Sequence, residues 1–435
     1  MIPATISDAF LLALESHMRR SGQGAHLSVT VVELSGAPDP DRLRATAGRL
    51  SARHPLLNAR LRRGRDFVAR WHPGEPSPVP VEIHPEGTVE SLVTSLLDHP
   101  RIDIHAHGPN LELHALPIAP DRWALVLVWP HALFDAIGID KLLAELDDPG
   151  DNRRDDWGET AKTEGSPAEL WRTAKPMVEE MRSFPAWRVR SPHPKGRTAG
   201  PPRFELIRFT PAETAAIRER MAGNAGELLM LPYFATVAAR ATRAVLSGRH
   251  PDEDVPVLLS LPVQRTANPS KRPLFLNHMT AWSLMLEPGD FGDLGQTTKA
   301  LHRKYAGFLR RGLPRAMDAL MKLMARCPSR LYLKPAGFYL KGEICTLFHS
   351  HTGRFANGTD QLFGDRILDG FHVPTVSAPP GLGIFFSERS DRLTCTLSWR
   401  EGSLSPDELE LLAATLKADL LGPRSPNPPI SREAS

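Results

Sequence analysis

The sequence predicts an α/β protein built from two lobes. Its 435 residues exceed what a single hydrophobic core usually supports, so the chain is expected to divide into two units. Strand-like and helix-like patterns alternate over the first 145 residues, which excludes a helical bundle and an all-β sandwich. The alternation resumes after residue 203, beyond polar, proline-rich connectors. We therefore expect each lobe to hold a mixed sheet flanked by helices.

The first lobe is predicted to hold four helices and four strands. Apolar residues recur at helical spacing in residues 7–18, 39–55, 88–100 and 133–146. Strand-like alternation or short apolar runs occur in residues 26–34, 56–63, 110–118 and 122–130. The last two strands are separated by the short turn APDR, which predicts an antiparallel pair.

The second lobe repeats this mixture of elements. Its helices are predicted at residues 210–223, 228–246 and 405–421, and its strands at residues 203–209, 255–263 and in a hairpin over residues 382–402. A further short helix is predicted at residues 167–183, within the connector that precedes this lobe. The predicted boundaries are 1–165 for the first lobe, 166–203 for the crossover linker, 204–422 for the second lobe and 423–435 for a disordered tail.

The composition is that of a soluble globular protein. Hydrophobic residues make up 41% and charged residues 24%, and the net charge of +3 gives no general case for nucleic-acid binding. No apolar run reaches the roughly 18 residues that span a bilayer, and the first residues do not resemble a signal peptide. Cys327, Cys345 and Cys395 lie far apart, and His105 and His107 lack further metal ligands nearby. We expect a cytoplasmic monomer with free thiols and no bound metal.

The stretch LVWPHALFDAIGID, residues 127–140, contains a candidate catalytic histidine directly after a predicted strand. An apolar run stops at Pro130, His131 follows, and Asp135 comes four residues later. If a helix begins near His131, Asp135 lies one turn further along the same face. A histidine in this position can act as a general base, because its pKa lies near neutral pH. The residues alone also allow a satisfied strand-end histidine beside a helix-capping or surface aspartate.

Four segments resemble one family when they are taken together. PHALFDAIG at residues 130–138 is similar to the HHxxxDG motif, and RHPLLNARLRR at residues 53–63 is similar to the RHxxLRxxF segment. SLPVQR at residues 260–265 and FLNHMTAWSLML at residues 275–286 resemble the PVNxR and Gly-Asn segments. These are segments of the CoA-dependent acyltransferase superfamily, which includes condensation domains of nonribosomal peptide synthetases, chloramphenicol acetyltransferase, polyketide-associated acyltransferases and wax ester synthases. The resemblance covers most of the chain.

The resemblance implies two chloramphenicol-acetyltransferase-like lobes with a tunnel between them. His131 matches the catalytic histidine of the motif, which acts as a general base in direct acyl transfer. Asp135 matches the structural aspartate, which pairs with an arginine in the family. Arg60 is the first candidate for that partner in this chain, and Arg265 is the second.

Three positions depart from the family pattern. Pro130 replaces the first motif histidine, Ala136 replaces the glycine after the aspartate, and Asn58 stands where the family has an arginine. No sequence similar to the family's DFGWG segment occurs near the end of the chain. These departures favour a relative that has lost its activity, whereas His131 and Asp135 favour catalysis.

Five further residues are candidate substrate contacts. They lie on second-lobe segments that could face the tunnel and comprise Gln264, Asn277, Ser283, His349 and His351. For each of them an ordinary structural or surface role is an open alternative.

Residues 301–341 are strongly basic. Ten lysines and arginines in this segment accompany a single acidic residue, Asp318. One interpretation is an amphipathic helix with a solvated basic face. The other is a docking surface for an acidic carrier protein, for CoA phosphates or for an anionic membrane. Arg310, Arg311 and Arg315 are the candidate donor-docking residues.

The sequence and the resemblance together predict a free-standing condensation-type acyltransferase of secondary metabolism. The co-substrate would be an acyl-CoA or a phosphopantetheine-linked acyl thioester on an acyl or peptidyl carrier protein. The acceptor would be a small-molecule alcohol or amine, and no cofactor would stay bound. The alternative is a catalytically silent relative that binds a carrier protein or recruits a partner. An open cavity that reaches His131 would favour the enzyme.

Overall fold

Two mixed sheets dominate the protein. The computed structural model describes residues 1–148, 165–184, 188–225, 230–264 and 273–422. Over these ranges the chain forms two six-stranded sheets, one three-stranded sheet and the helices that cover them. The predicted α/β class is therefore confirmed.

The elements follow one another along the described chain. The strands are β1 Ile2–Pro3, β2 Leu27–Ser35, β3 Arg60–Arg63, β4 Ala69–His72, β5 Val81–Ile83, β6 Glu112–Ala119, β7 Arg122–Pro130, β8 Pro202–Arg208, β9 Val257–Gln264, β10 Met279–Leu286, β11 Leu347–Arg354, β12 Gln361–Leu362, β13 Asp365–Pro374, β14 Leu382–Arg389 and β15 Arg392–Arg400. The helices are α1 Ile6–Arg20, α2 Pro40–Arg53, α3 Val89–Asp98, α4 Ala136–Glu145, α5 Pro167–Ser183, α6 Pro211–Ala225, α7 Met230–Arg249, α8 Leu294–Arg310, α9 Leu313–Met324, α10 Ser329–Tyr332, α11 Lys334–Tyr339 and α12 Pro406–Leu421.

The first sheet takes strands from both halves of the chain. Its order is β12-β13-β2-β7-β6-β5, and β2 pairs antiparallel with β7 on one side and with β13 on the other. Thus β12 and β13 join the first sheet although they lie within residues 204–422. The predicted lobe boundaries stay a prediction, but the sheets themselves are not continuous in sequence.

Strand β7 is apolar along its length because both of its faces are covered. Trp123, Leu125, Leu127 and Trp129 pack into a core with α2 and α4, whereas Ala124, Val126 and Val128 pack into another with α3. A strand that alternates between two cores needs an apolar residue at every position. The run ends at Pro130, where the strand leaves the core.

The second sheet has the order β10-β9-β11-β14-β15-β8 and packs against α7, α8 and α12. Helix α12 shows why this packing forms. Ser405 and Glu408 make a capping box at its start. Leu412, Leu416 and Leu420 recur at four-residue intervals and are fully buried. Its amphipathic pattern thus fixes which face meets the sheet.

Two predicted elements differ from the structure. Residues 56–63 do not form one strand, because a 3₁₀ turn at Pro55–Asn58 precedes β3. The basic segment is not one helix but α8 to α11, with a break at Gly312, whose φ of 66° favours glycine. None of the helices in the described ranges is long and apolar enough to cross a membrane.

Candidate active site

A cavity lies between the two six-stranded sheets. It is lined by β7 and β13 of the first sheet, by β9, β10, β11 and β14 of the second, and by α1. Counting its openings to solvent, it encloses about 1400 Å³. Much of its wall is apolar, with contributions from Phe10, Trp129, Phe348, Phe385 and Phe386. Such a concave, mainly apolar space with a few polar groups is typical of a small-molecule site.

His131 lies on this cavity, in the turn directly after β7. Its backbone N–H donates to the carbonyl oxygen of His26 over 3.1 Å. Its own carbonyl oxygen accepts from Nδ2 of Asn277 over 2.8 Å. Both bonds fix the backbone, so the imidazole is left to face the cavity. Helix α4 begins only at Ala136, so the condition under which His131 and Asp135 would share a helical face is not met.

Asp135 is the N-cap of α4. Its Oδ1 accepts from the backbone N–H of Gly138 over 2.8 Å, and the residue is buried. An aspartate in this position satisfies a free helix N–H and favourably meets the helix dipole. Ala136 therefore has an ordinary helical conformation at the first helical position. The close approach instead occurs at Gly138, where a side chain would collide with the backbone carbonyl of Leu274.

Of the two arginines predicted to pair with Asp135, only Arg60 lies within the described residues. Arg60 lies on β3, which pairs only with β4 in the three-stranded sheet. No ion pair within the described ranges joins Arg60 to Asp135, and Arg60 does not line the cavity. The described residues therefore do not show the predicted pair of Arg60 with Asp135. Arg265 lies outside the described residues.

The side chain of Asn277 links the His131 turn to Asp8 of α1. Its Nδ2 also donates to Oδ1 of Asp8 over 3.0 Å, and its backbone N–H donates to the same oxygen over 2.9 Å. Asp8 is itself fully buried in the capping box of α1. Burial raises the pKa of Asp8, against the bonds from Thr5 and Asn277 that lower it. The structure thus places Asn277 in the support of the His131 turn and not on the cavity wall, contrary to its prediction as a substrate contact.

Replacing Asn277 with alanine is expected to lower kcat about tenfold or more while KM changes little. The variant removes a buried bond to His131, and a shift of the base affects the reacting geometry more than ground-state binding. Steady-state kinetics on the folded variant measures this, with Asn357→Ala, which alters an exposed asparagine, as the matched control. An equal rise of KM with unchanged kcat would assign Asn277 to substrate binding instead.

Five histidines line the cavity. Each has one buried ring nitrogen without a hydrogen-bond partner in the described part of the chain: Nδ1 of His26 and His131, and Nε2 of His349, His351 and His372. His372 Nε2 does lie 3.2 Å from Oδ1 of Asp140, but not in hydrogen-bonding geometry. These nitrogens are shielded from solvent, so they do not themselves form the open surface of the cavity. Five imidazole side chains around one mainly apolar space are nevertheless typical of a site that binds polar groups.

The other bonds of these histidines hold their rings in place. Nδ1 of His349 bonds to the carbonyl oxygen of Ile384 over 2.9 Å. Nδ1 of His372 bonds to Oγ1 of Thr30 over 3.0 Å. The ring of His351 stacks on Phe234, with 4.9 Å between centroids. The rings of His26 and His131 lie 5.1 Å apart.

Burial lowers the pKa of four of these histidines. It is the main cause at His131, where the nearby charge of Asp135 acts in the opposite direction. Burial and the neighbouring His131 place the pKa of His26 well below its usual value. Burial lowers the pKa of His349 to about 3 and also lowers that of His351. These rings are therefore neutral at pH 7, which is the form in which His131 can accept a proton.

The sequence did not indicate His26 and His372 as cavity residues. Pairing of Leu27 with Pro130 places His26 beside His131, and pairing of Thr30 with His372 places His372 on the neighbouring strand. The first pairing has a weak sequence signal, since His26 and His131 flank two strands of equal length. The second depends on β13, which crosses from the other half of the chain.

The remaining predicted residues divide between the cavity and other surfaces. His349 and His351 line the cavity, and their contact with a substrate stays a prediction. Gln264 is the last residue of β9, and its side chain lies outside the described part of the structure. Ser283 lies in a separate depression beside Arg311, away from His131. Arg310, Arg311 and Arg315 are exposed around the junction of α8 and α9.

No family model and no curated protein matches the chain. Several solved structures do. The trichothecene 15-O-acetyltransferase from Fusarium sporotrichioides has a TM-score of 0.71 at 14% identity, covering 96% of this chain and 95% of its own. The wax ester synthase/diacylglycerol acyltransferase from Marinobacter aquaeolei VT8 has a TM-score of 0.59 at 16% identity, covering 96% and 98%. The first condensation domain of the CDA synthetase has a TM-score of 0.61 at 14% identity, covering 98% and 97%.

These identities are low, and the coverage is nearly complete on both sides. The likeness therefore concerns the whole architecture of two lobes and not one shared motif. The chain has the two-lobed fold of these acyltransferases and of this condensation domain.

Proposed function

We propose that the protein is an acyltransferase in which His131 is the general base. The observation that carries this proposal is an open cavity between the sheets that reaches His131. Burial lowers the pKa of His131, which keeps the base neutral at pH 7. A silent relative has no need of a cavity at this turn, so the enzyme is the better supported of the two functions.

The proposed reaction is a direct transfer without a covalent enzyme intermediate. His131 takes the proton from an O–H or N–H group of the acyl acceptor. At the same time, the oxygen or nitrogen of that group attacks the carbonyl carbon of the thioester. A C–O or C–N bond forms, and the C–S bond then breaks. The proton passes from the imidazolium to the leaving thiolate, which departs as a thiol. No serine or cysteine nucleophile is required.

The wall of the cavity supports an acceptor that is mainly apolar but carries several hydroxyl or carbonyl groups. Aromatic and aliphatic side chains can bury its hydrocarbon part. The histidines on the cavity wall, His26, His349, His351 and His372, can bond to its polar groups. The donor would be an acyl-CoA or an acyl group on a carrier protein. A purely aliphatic acceptor would make no use of these polar side chains.

Product analysis tests the proposed function. The purified chain would be incubated with a panel of acyl-CoA and acyl-carrier thioesters and with hydroxylated or aminated apolar acceptors. Mass spectrometry should detect a product that gains one acyl group, together with release of one thiol. The His131→Ala variant serves as the background. Thiol release equal to that of His131→Ala with every donor, and no acylated product, would favour the silent alternative.

We further propose that the basic segment attracts the acyl donor. Arg310, Arg311 and Arg315 are all exposed, and Arg311 also pairs with Glu180 over 2.5 Å. The same segment approaches the cavity through Met321 of α9. An acidic carrier or the phosphates of CoA would thus be steered toward a surface that adjoins the site.

Charge reversal at Arg310 and Arg315 is expected to raise KM for the natural donor several-fold and to flatten its salt dependence. Arg311 is left unchanged so that its ion pair with Glu180 persists. The value of kcat should change little, because surface charges act mainly on association over about 10 Å at 0.1 M salt. Kinetics at several salt concentrations measures this, with reversal at the exposed Arg62 and Arg65 as the control. An unchanged KM at low salt would show that the segment is a solvated face.

A further inference from the structure

A cluster of potential metal ligands lies at the edge of the first sheet, away from the cavity. Glu82, His84 and His114 are the only group of three such side chains found close together within the described ranges. The parallel pairing of β5 with β6 sets Glu82 directly beside His114. His84 follows Glu82 by two residues, so both point to the same face. Neighbouring strands thus bring three ligands together.

The distances between the ligand atoms suit one small cation. Nε2 of His84 lies 3.0 Å from Nδ1 of His114, and Oε2 of Glu82 lies 3.6 Å from the same nitrogen. All three atoms lie within 4.8 Å of one another. Zinc binds imidazole nitrogens and carboxylate oxygens at about 2.0–2.2 Å, so it can be shared by atoms at these separations.

A second carboxylate supports the buried histidine. Nε2 of His114, the ring nitrogen that is not a proposed ligand, lies 3.3 Å from Oε2 of Glu112 and 3.5 Å from Nη2 of Arg101. Histidines that bind a metal usually donate their other N–H to a carboxylate, which fixes the tautomer and the ring orientation. The metal would then bind Nδ1 of His114 and replace the hydrogen bond that this atom makes with Nε2 of His84.

The charged side chains around the cluster carry a net negative charge, which favours binding of a cation. Glu82 and Glu112 face one guanidinium, that of Arg101, at 2.9 and 3.3 Å. The two carboxylates carry one more negative charge than this single guanidinium balances.

We propose that Glu82, His84 and His114 bind a zinc ion, with Glu112 as the supporting carboxylate. Paired imidazoles with a carboxylate favour zinc over magnesium or calcium, which prefer oxygen ligands. Glu82 is half-exposed, so water can occupy the fourth position. Strand β5 has three residues and pairs on one side only, at the edge of its sheet. A zinc ion bound by both strands would fasten this edge strand to β6.

Titration of the EDTA-treated, full-length protein with Zn²⁺ tests the proposal. We expect one high-affinity zinc ion per chain and a rise in Tm on binding. The variants His84→Ala and Glu82→Gln alter partly exposed side chains and should fold, yet each should weaken zinc binding at least about tenfold. Glu112→Gln should weaken it roughly 10–100-fold, as is usual for a supporting carboxylate. X-ray absorption should report two imidazole ligands at about 2.0–2.1 Å.

Two controls separate this site from other histidines. His105→Ala with His107→Ala removes two exposed histidines outside the cluster and should leave zinc binding unchanged. His131→Ala reports on the histidines of the cavity and should also leave it unchanged. Zinc binding that persists in both His84→Ala and Glu82→Gln, or that disappears in His131→Ala, would overturn the proposal. Because the readout is binding, the result does not depend on the proposed acyltransferase activity.

Discussion

Replacing His131 with alanine is expected to lower kcat/KM by roughly 10²–10⁴-fold, which is the usual contribution of a general base. The side chain faces the cavity, while the backbone of the turn is held by bonds to His26 and Asn277. The substitution therefore removes the base without removing the contacts that shape the turn. Steady-state kinetics with an identified donor and acceptor measures the loss, and circular dichroism checks the fold.

The control and the pH profile sharpen this prediction. His99→Ala alters an exposed histidine at the end of α3 and should have wild-type activity. Because burial lowers the pKa of His131, the activity of the wild type should decline only at a pH below the ordinary histidine value of about 6.5. A folded His131→Ala variant with near wild-type turnover would contradict the assignment of His131 as the base.

The position of His131 could be predicted because the signal is local. β7 is covered on both faces, so its apolar residues form a continuous run that ends at Pro130. A reader of the sequence can find this end without knowing any partner strand. The role of Asp135 was also readable in part, since an aspartate before a helical pattern is a common N-cap. The structure shows this capping role. Pairing of Asp135 with Arg265 stays a prediction, because Arg265 lies outside the described residues.

The surroundings of His131 could not be predicted because they depend on long-range pairing. His372 reaches the cavity only because β13 leaves the second half of the chain and pairs with β2. Asn277 is predicted on the tunnel wall, but its side chain instead bonds to Asp8 and to the backbone carbonyl of His131. Arg60 is a candidate because it lies two residues beyond Asn58, but such spacing does not reveal which sheet the strand of Arg60 joins.

The zinc cluster shows the same limit of sequence reading. Glu82 and His84 are separated from Glu112 and His114 by about thirty residues, and their spacing matches no familiar metal motif. The cluster exists because β5 and β6 pair in parallel in one particular register. A shift of one residue would turn one pair to the opposite face of the sheet.

Acidification from pH 7 to pH 5 is expected to destabilise the protein by about 2 kcal/mol through His349 alone. Burial lowers the pKa of this histidine to about 3 in the folded state, whereas it is about 6.5 in the unfolded chain. Between these values the unfolded state binds a proton that the folded state does not, so stability is lost as the pH falls below 6.5. The 1.5 pH units between 6.5 and 5 correspond to about 2 kcal/mol at 1.36 kcal/mol per unit.

Urea unfolding at several pH values measures this effect. In the His349→Asn variant, the amide N–H can replace Nδ1 as the donor to the carbonyl of Ile384, while the titrating group is removed. The variant should lose less stability than the wild type between pH 7 and pH 5, by about 2 kcal/mol, even if its stability at pH 7 is lower. His99→Asn should keep the wild-type slope because that histidine is exposed in the folded state. An identical slope in His349→Asn and the wild type would mean that His349 becomes protonated inside the folded protein. Burial also lowers the pKa values of His26 and His351. The wild type should therefore lose more unfolding free energy between pH 7 and pH 5 than His349 alone accounts for.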